Sequence, residues 1–328
     1  MRRLTLNNTL KKLIFLFVLV FCTTGIASAD TINLNIVSGN PGGTYYYIGA
    51  AIASILSQKL PDVEVTTTAT TGSPLENGTY TSRSTDTMGI FTLDGAYAAM
   101  KGDTSRGFRE PLTNLGMLVG GHELLLYAIT LKDSGIKSHG DVKGKKIGIP
   151  VLGNTAYYQT VALLEEYGLK ENKDYKSYPM TYAEQTDALK DGAINVAYTG
   201  GGIPQAHAME LSTTKDVLFL SIDEDKIEVL EKKHPYWWIS QIPAGTYRGQ
   251  DYPVNVFTSQ VCLFANLGMD EELAYKITKT ICESAAELKQ IHIEAGKYSA
   301  DTTKPLYESP VVPFHPGALK YYNEIWGK

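Results

Sequence analysis

Four glycine-bearing loops, each following a strand-like run, are the segments of this chain best placed to bind a ligand. They lie at residues 38–46, 70–77, 150–155 and 199–204. Glycine lets a ligand approach the main chain, and a helix that follows begins with free N–H groups and a partial positive charge. Such loops can bind a carboxylate or a phosphate. Four of them converging on one cleft would hold a small polar anion through backbone amides and hydroxyl groups.

Each loop alone also has a purely structural interpretation. Ser73 can cap a helix that begins at Pro74, with Glu76 three residues on as in a capping box. That interpretation leaves Thr71 and the loop amides as candidate contacts. In the first loop Thr44 can likewise cap a helix, and the chain has neither a Walker lysine there nor a G-x-G-x-x-G motif.

Residues for bond chemistry are scattered. The six histidines do not have the spacing of metal ligands, so no metal site is predicted. The nucleophile motif G-x-S-x-G is absent. His122, followed by Glu123, is the one histidine that an enzyme could use. The aromatic run at 234–238 is interpreted as packing between elements, with a wall of the ligand cleft as the alternative.

The elements that must position these loops alternate in type, among them the strand 193–198 and the helices 47–60 and 224–233. This alternation predicts an α/β fold with mainly parallel strands. Apolar runs at 124–130 and 256–264 suit strands that cross between two lobes. The predicted lobes are interleaved: residues 31–122 plus 256–328 form the first, and 123–255 form the second. Ligands of such sheets bind beyond the carboxyl ends of the strands, here in a shared central cleft.

Residues 1–29 have the pattern of a removable export signal, with an apolar run at 13–22 and Ala27-Ser28-Ala29 before the cleavage point. A retained anchor is the alternative, although the run is short for a membrane span. The signal holds four of the 30 basic residues and none of the 35 acidic ones, which leaves 26 against 35 and a net charge of −9. Such an acidic protein is not expected to bind nucleic acid or anionic lipid. Cys262 and Cys282 could form a disulfide or remain thiols.

Seven short motifs extend these observations along almost the whole mature chain. They are Gly-Gly-Thr-Tyr-Tyr at 42–46, Thr-Gly-x-x-x-Glu-Asn at 71–77, Asp-x-Ala-Tyr at 94–97, Asp-Ser-Gly-Ile-Lys-Ser at 133–138, Asp-Val-Lys-Gly-Lys-Lys-Ile at 141–147, Ile-Pro-Ala-Gly-Thr-Tyr at 242–247 and His-Pro-Gly-Ala at 315–318. In their combination and order the chain resembles the TAXI-type solute-binding proteins of tripartite ATP-independent periplasmic (TRAP) transporters.

The resemblance implies a type II periplasmic-binding-protein fold whose two lobes close on a ligand. It implies capture of glutamate, 2-oxoglutarate or a related small carboxylate, and delivery to integral membrane subunits that use an ion gradient. No catalysis, cofactor or metal is implied, and we expect an exported monomer. The ligand-binding residues that follow from the resemblance and the loops are Gly43, Thr44, Tyr45, Thr71, Gly72, Ser73, Asp94, Gly153, Asn154, Thr155, Gly200 and Gly201.

Three segments depart from the family pattern: 71–74 reads Thr-Gly-Ser-Pro in place of Thr-Gly-Gly-Ser, 92–94 reads Thr-Leu-Asp in place of Gln-Ser-Asp, and 151–155 reads Val-Leu-Gly-Asn-Thr in place of Pro-Gly-Ser-Gly-Thr. Proline removes an N–H donor and leucine replaces a hydroxyl, so the preferred carboxylate can differ from glutamate. Three alternatives stay open: the binding protein of an ATP-driven (ABC) transporter for another small anion, a periplasmic enzyme using His122, and a sensor subunit.

Overall fold

The structure is a computed structural model that describes residues 31–39, 41 and 43–327. The predicted export signal lies outside the described residues. Internal contacts divide the chain into Met1–Ile32 and Asn33–Lys328, and the fold below is that of the second unit. Among the described residues, no helix is long and apolar enough to cross a membrane.

Ten strands form one sheet within the described part of the chain. They are β1 (Ile32–Val37), β2 (Val63–Thr68), β3 (Thr87–Thr92), β4 (Leu115–Leu131), β5 (Lys146–Ile149), β6 (Lys176–Pro179), β7 (Val196–Gly201), β8 (Val217–Phe219), β9 (Trp238–Ile242) and β10 (Val254–Asn266). Their order is β2-β1-β3-β10-β4-β7-β5-β6, with β8 also paired to β4 and β9 to β10.

Eleven α-helices, counted over the same residues, connect and cover the strands. They are α1 (Thr44–Lys59), α2 (Pro74–Arg83), α3 (Leu93–Lys101), α4 (Thr155–Glu166), α5 (Tyr182–Lys190), α6 (Ala206–Thr214), α7 (Glu224–Lys233), α8 (Glu271–Glu283), α9 (Ala285–Ile291), α10 (Ala300–Glu308) and α11 (Pro316–Trp326). Strands and helices alternate through α7, as the sequence predicts, except that only two short 3-10 helices separate β4 from β5.

The long strands β4 and β10 pair antiparallel at the centre of the sheet, and the strands on either side of this pair run in opposite directions. β3 pairs antiparallel with β10 and ends with Thr92 opposite Val261. β7 pairs antiparallel with β4 and ends with Gly201 opposite Leu125. Because β1 is parallel to β3 and β5 is parallel to β7, the carboxyl ends of the two sets point towards the middle of the β4–β10 pair.

A β-bulge lies at this meeting level. Gln260 of β10 faces Glu123 of β4, whereas Cys262 faces Gly120, so β4 has one residue more than β10 between these pairs. The extra residue falls at Gly121–His122. Bulges of this kind bend a strand and turn a side chain towards a new direction.

Gly121 is required at the bulge because of a close neighbour. A Cβ atom at this position would lie 2.3 Å from Cζ of Tyr298, a distance that real contacts do not reach. The missing side chain therefore lets the Tyr298 ring pack directly against the β4 backbone.

Three hydrophobic cores lie on this sheet. The first draws its buried residues from 34–119 and 261–322. The second and third draw theirs from 125–257. β4 contributes to all three, because its first half packs in the first core, Leu126 and Ala128 pack in the second, and Leu125, Tyr127 and Ile129 pack in the third.

The predicted elements differ from the observed ones mainly at their ends. The helix predicted over 224–233 is observed with those bounds as α7. α1 begins at Thr44, before the first apolar residue of its periodic pattern. β7 begins only at Val196, since the three residues before it belong to the turn that follows α5. Cys262 and Cys282 are both free thiols.

Candidate functional site

A cavity of about 500 Å³ lies where the carboxyl ends of the strands meet. Its walls are formed by residues that follow β1, β2, β5 and β6 and by residues at the ends of β7 and the bulge of β4. They are Gly39, Gly43, Thr44, Tyr45, Thr71, Gly72, Ser73, Pro74, His122, Leu124, Pro150, Val151, Leu152, Gly153, Asn154, Thr155, Met180, Thr181, Tyr182, Gly200, Gly201 and Gly202. The volume is in the range of small-molecule sites.

The four loops singled out by their glycines all contribute to this one cavity. Eleven of the twelve predicted site residues line it, and the exception is Asp94. The structure therefore brings together loops that are more than 100 residues apart in the sequence.

Asp94 does not line the cavity because its carboxylate is used inside the protein. The side chain is fully buried. It accepts a hydrogen bond from Nη1 of Arg106 at 2.6 Å and another from Oγ of Ser259 at 2.7 Å. The guanidinium of Arg106 also lies 4.4 Å from the centre of the Tyr158 ring, as in a cation–π contact. Asp94 thus connects α3 to β10 and to the segment around Tyr158.

Four helices begin at the cavity wall. The residues that immediately precede α1, α2, α4 and α5 are Gly43, Ser73, Asn154 and Thr181, and each of them lines the cavity. A helix start presents unpaired N–H groups and a partial positive charge. The cavity therefore has the backbone environment of an anion site without needing a basic side chain.

Two of these helix starts already hold a carboxylate of the chain itself. Glu76 Oε2 accepts hydrogen bonds from the backbone N–H of Thr71 at 2.8 Å and from its hydroxyl at 2.5 Å. Glu184 Oε2 accepts from the N–H and the hydroxyl of Thr181 at 2.8 and 2.9 Å. The Thr181 N–H lowers the pKa of Glu184. The starts of α2 and α5 are therefore largely neutralised.

The structural interpretation of the second loop is confirmed in part. Ser73 Oγ accepts a hydrogen bond from the N–H of Glu76 at 3.2 Å, as a capping residue does. Glu76, however, binds Thr71 and not Ser73, which differs from the predicted capping box. The hydroxyl of Thr71 is consequently occupied before any ligand arrives.

The starts of α1 and α4 differ from the other two. Neither helix has an acidic residue in its first turn. Gly43 has no side chain to cap α1, and Asn154 caps α4 through its Oδ1 atom, which accepts from the N–H of Ala156 at 2.9 Å. Their partial positive charges are therefore not neutralised by a side chain and remain available to an anion.

The side chains of the cavity wall are uncharged. None of the described residues that line it is Lys, Arg, Asp or Glu. Burial raises the pKa of Tyr182 to about 12 and that of Tyr45 well above its ordinary value. Burial also lowers the pKa of His122 to about 3. These three rings are therefore neutral throughout the physiological pH range.

His122 lines the cavity, although the sequence indicated it only as an enzyme residue. Its ring is 2% exposed and packs edge-on against Tyr45, with 5.6 Å between the ring centres. Glu123 is directed elsewhere, since its carboxylate accepts from Trp238 Nε1 at 2.9 Å and from Ser240 Oγ at 3.3 Å. The two residues do not form the acid–base pair that an enzyme would need.

The aromatic run at 234–238 packs between elements. Trp237 is buried, with its ring centre 4.6 Å from that of His234 and 5.1 Å from that of Phe257. None of the five residues lines the cavity.

The sequence matches the NMT1-like family over residues 36–325. The chain belongs to this family. Among solved structures, it is similar to MatC from Rhodopseudomonas palustris with bound malate, with 14% identity, 90% of this chain and 97% of that chain covered, and a TM-score of 0.55. It is also similar to Rpa4515 from R. palustris with adipate. The identity is 15%, 89% of this chain and 93% of that chain are covered, and the TM-score is 0.52.

The periplasmic binding protein BugD is also similar in structure, with 9% identity, 90% of this chain and 97% of that chain covered, and a TM-score of 0.52. At such identities the likeness concerns the fold alone. The predicted α/β periplasmic-binding-protein fold is confirmed.

We predict that Asp94→Ala lowers the free energy of unfolding by about 3 kcal/mol, because it leaves the guanidinium of Arg106 buried without its partner. Urea denaturation followed by circular dichroism measures the change. Asp103→Asn is the matched control, because that carboxylate is 3.9 Å from the same guanidinium but 37% exposed, and its loss should cost less than about 1 kcal/mol. Equal losses in the two variants would contradict the assignment.

A second prediction concerns His139, which is buried and lies with Nδ1 3.0 Å from the hydroxyl of Tyr198. Burial lowers its pKa to about 3, whereas the unfolded chain takes up the proton near pH 6.5. The contribution of neutral His139 to the free energy of unfolding is therefore complete above pH 6.5. It is lost as the pH falls towards 3, at about 1.4 kcal/mol per pH unit. His139→Gln should reduce the slope of unfolding free energy against pH by this amount between pH 6 and 4.5. Identical slopes in urea denaturation of wild type and variant would refute the prediction.

Proposed function

We propose that this protein is an extracytoplasmic solute-binding protein that captures a small carboxylate and delivers it to a TRAP membrane transporter. The observation that carries the proposal is the pair of helix starts at α1 and α4, which face one uncharged cavity and hold no carboxylate of their own. Helix starts bind carboxylates and phosphates, and a cavity of this volume holds a small molecule.

Binding would be capture between two lobes, the first comprising residues 31–122 and 256–328 and the second 123–255. The separate hydrophobic cores of these segments support the division, although Val256 and Phe257 pack in the cores of the second lobe. α1 begins in the first lobe and α4 in the second, so a carboxylate held by both helix starts would draw the lobes together. The buried contact between the hydroxyls of Thr92 and Thr155, at 2.8 Å, is of the kind that closure produces.

The proposed contacts are the backbone and side chains of the lining residues. Gly43, Thr44 and Tyr45 would act from the first lobe, with a smaller part for Thr71, Gly72 and Ser73 because Glu76 already occupies that loop. Gly153, Asn154, Thr155, Gly200 and Gly201 would act from the second lobe. Asp94 would act only by holding the surrounding structure.

Support for the class of ligand and transporter comes from two sources. The solved structures that share the fold include proteins with malate and with adipate bound, both of which are small carboxylates. The motifs along the chain resemble the TAXI group, whose members serve TRAP transporters, and the pattern of residues 1–29 fits export. The family match and the fold are equally compatible with the ABC alternative, so the transport assay below includes it.

Ligand-stripped protein, unfolded and refolded in fresh buffer, should bind at least one acid from a panel of keto, hydroxy, amino and dicarboxylic acids in isothermal titration calorimetry. Thr44 lies exposed at the cavity wall at the first residue of α1. Thr44→Val should weaken binding of that acid about tenfold, the effect of one hydrogen bond. Thr213→Val, on the exposed surface of α6 outside the cavity, should leave binding unchanged. Absence of binding across the panel would refute the proposal.

An uptake assay distinguishes a TRAP transporter from an ABC transporter as the membrane partner. We expect uptake of the radiolabelled acid into proteoliposomes that contain TRAP integral subunits, provided that this protein and an ion gradient are both present, without ATP. Thr44→Val should reduce uptake at low ligand concentration, and omission of the protein is the control. Uptake that depends on ATP and on an ABC permease would replace the TRAP assignment by the ABC alternative.

A further inference from the structure

His122 is a buried polar side chain whose hydrogen-bonding capacity the protein does not use. The ring is 98% buried and lines the cavity. Its Nδ1 atom has no hydrogen-bond partner. Buried polar groups in proteins almost always have a partner. Because Nδ1 itself is covered by protein atoms, a ligand in the cavity would pair with the ring through Nε2, or through Nδ1 after the ring turns.

The β4 backbone determines the position of His122 in the cavity wall. His122 stands at the bulge of β4, close to the level where β3 ends and three residues before Leu125, which faces the last residue of β7. The Tyr45 ring contacts it edge-on on one side, and the Tyr298 ring lies on another side with 6.1 Å between the ring centres. The imidazole therefore packs against two aromatic rings, beside the start of α1.

The cavity wall provides no anionic partner for an ammonium group. None of its described residues is acidic. Glu294, which lies beside Gly202, is paired with Lys297 at 3.1 Å. Glu76 and Glu184 are bound to the N–H groups at their own helix starts. A charged amine placed in the cavity would lose its hydration without gaining an ion pair, which is strongly unfavourable.

Three carbonyl groups of the wall are already engaged. The carbonyl of Gly39 accepts from the N–H of Thr70 at 3.3 Å, and that of Gly202 accepts from the hydroxyl of Tyr127 at 2.7 Å. The carbonyl of Gly200 accepts from Nε2 of Gln205 at 3.3 Å. These three are therefore not free to accept from an ammonium group, whereas the starts of α1 and α4 offer donors to an anion.

We propose that His122 binds a second, uncharged polar group of the ligand, so that the cavity takes a 2-oxo or 2-hydroxy acid in preference to the corresponding amino acid. The inference rests on the proposed function, because it assumes that the carboxylate lies at the helix starts. A neutral imidazole has one N–H donor and one acceptor nitrogen. It can donate to an oxo oxygen and can donate to or accept from a hydroxyl group. Burial keeps the ring in this neutral form.

The first test compares acids on one carbon skeleton with the wild-type protein. Refolded protein is titrated calorimetrically with 2-oxoglutarate, 2-hydroxyglutarate, glutamate and glutarate, and in parallel with pyruvate, lactate, alanine and propionate. In the series that binds, we expect the oxo or hydroxy acid to bind at least tenfold more tightly than the amino acid. An amino acid that binds equally or more tightly overturns the inference while leaving carboxylate capture intact. If no acid of either series binds, the inference fails together with the proposed function.

The second test assigns the preference to His122. His122→Phe should weaken binding of the preferred oxo or hydroxy acid at least tenfold and leave the matched unsubstituted acid, glutarate or propionate, unchanged. His122→Asn, which keeps a donor and an acceptor, should restore part of the loss. His234→Phe, outside the cavity, should bind as wild type does.

Equal weakening of all acids in His122→Phe, or no weakening, overturns the role assigned to His122. Circular dichroism and urea denaturation verify that each variant is folded. Should His122→Phe fail to fold, His122→Asn and the wild-type ranking still decide the matter, because the ranking depends on no substitution.

Discussion

The antiparallel pairing of β4 with β10 is the interaction on which the rest of this structure depends. Residues of these two strands pack in all three hydrophobic cores. β3 pairs with β10 and β7 pairs with β4, and these two outer strands run in opposite directions. Since β3 ends opposite Val261 and β7 ends opposite Leu125, only a few residues apart along the central pair, loops from distant parts of the chain meet there. The cavity is thus a result of strand register, and no single loop creates it.

Much of this arrangement could be predicted from the sequence because its determinants are local. Glycines and small polar residues after apolar runs indicate the four loops, and all eleven site residues predicted within them line one cavity. The first half of β4 was not predicted, because Gly116, Gly120 and Gly121 interrupt its apolar pattern. β6 was not predicted either, since its polar residues become a strand only through pairing with β5.

Residues whose roles depend on distant partners could not be predicted. Asp94 was chosen as a ligand contact, yet its carboxylate is bound by Arg106 twelve positions away and by Ser259, 165 positions away. The hydroxyl of Thr71 is bound by Glu76, which only a three-dimensional structure reveals. The position of His122 depends on a register shift opposite Gln260 and Cys262. The spacing of residues along the sequence does not indicate such contacts.

The electrostatic character of the cavity depends on which of the surrounding helix starts bind a carboxylate of the chain itself. The chain as a whole is acidic, while the cavity wall is uncharged among its described residues. Of the four helix starts at the cavity, those of α2 and α5 bind the carboxylates of Glu76 and Glu184, and those of α1 and α4 bind none. Glu76 and Glu184 therefore determine how many of these helix starts an anion could occupy. Because the influence of a helix end falls off within about one turn, the acidic exterior has little effect on these places.

The bulge at Gly121–His122 also determines where the chain tolerates changes in length. Removing one residue at Gly121–His122 would leave Gly120 and Glu123 two positions apart, as their partners on β10 are, so the later side chains would keep their faces. Removing one residue just beyond the bulge would instead turn every later side chain of β4 to the opposite face. Leu125 and Leu126 belong to different cores, so that deletion would exchange the packing of both. Insertions in surface loops cost little by comparison. The spacing of β4 beyond Glu123 is therefore a length that the fold fixes.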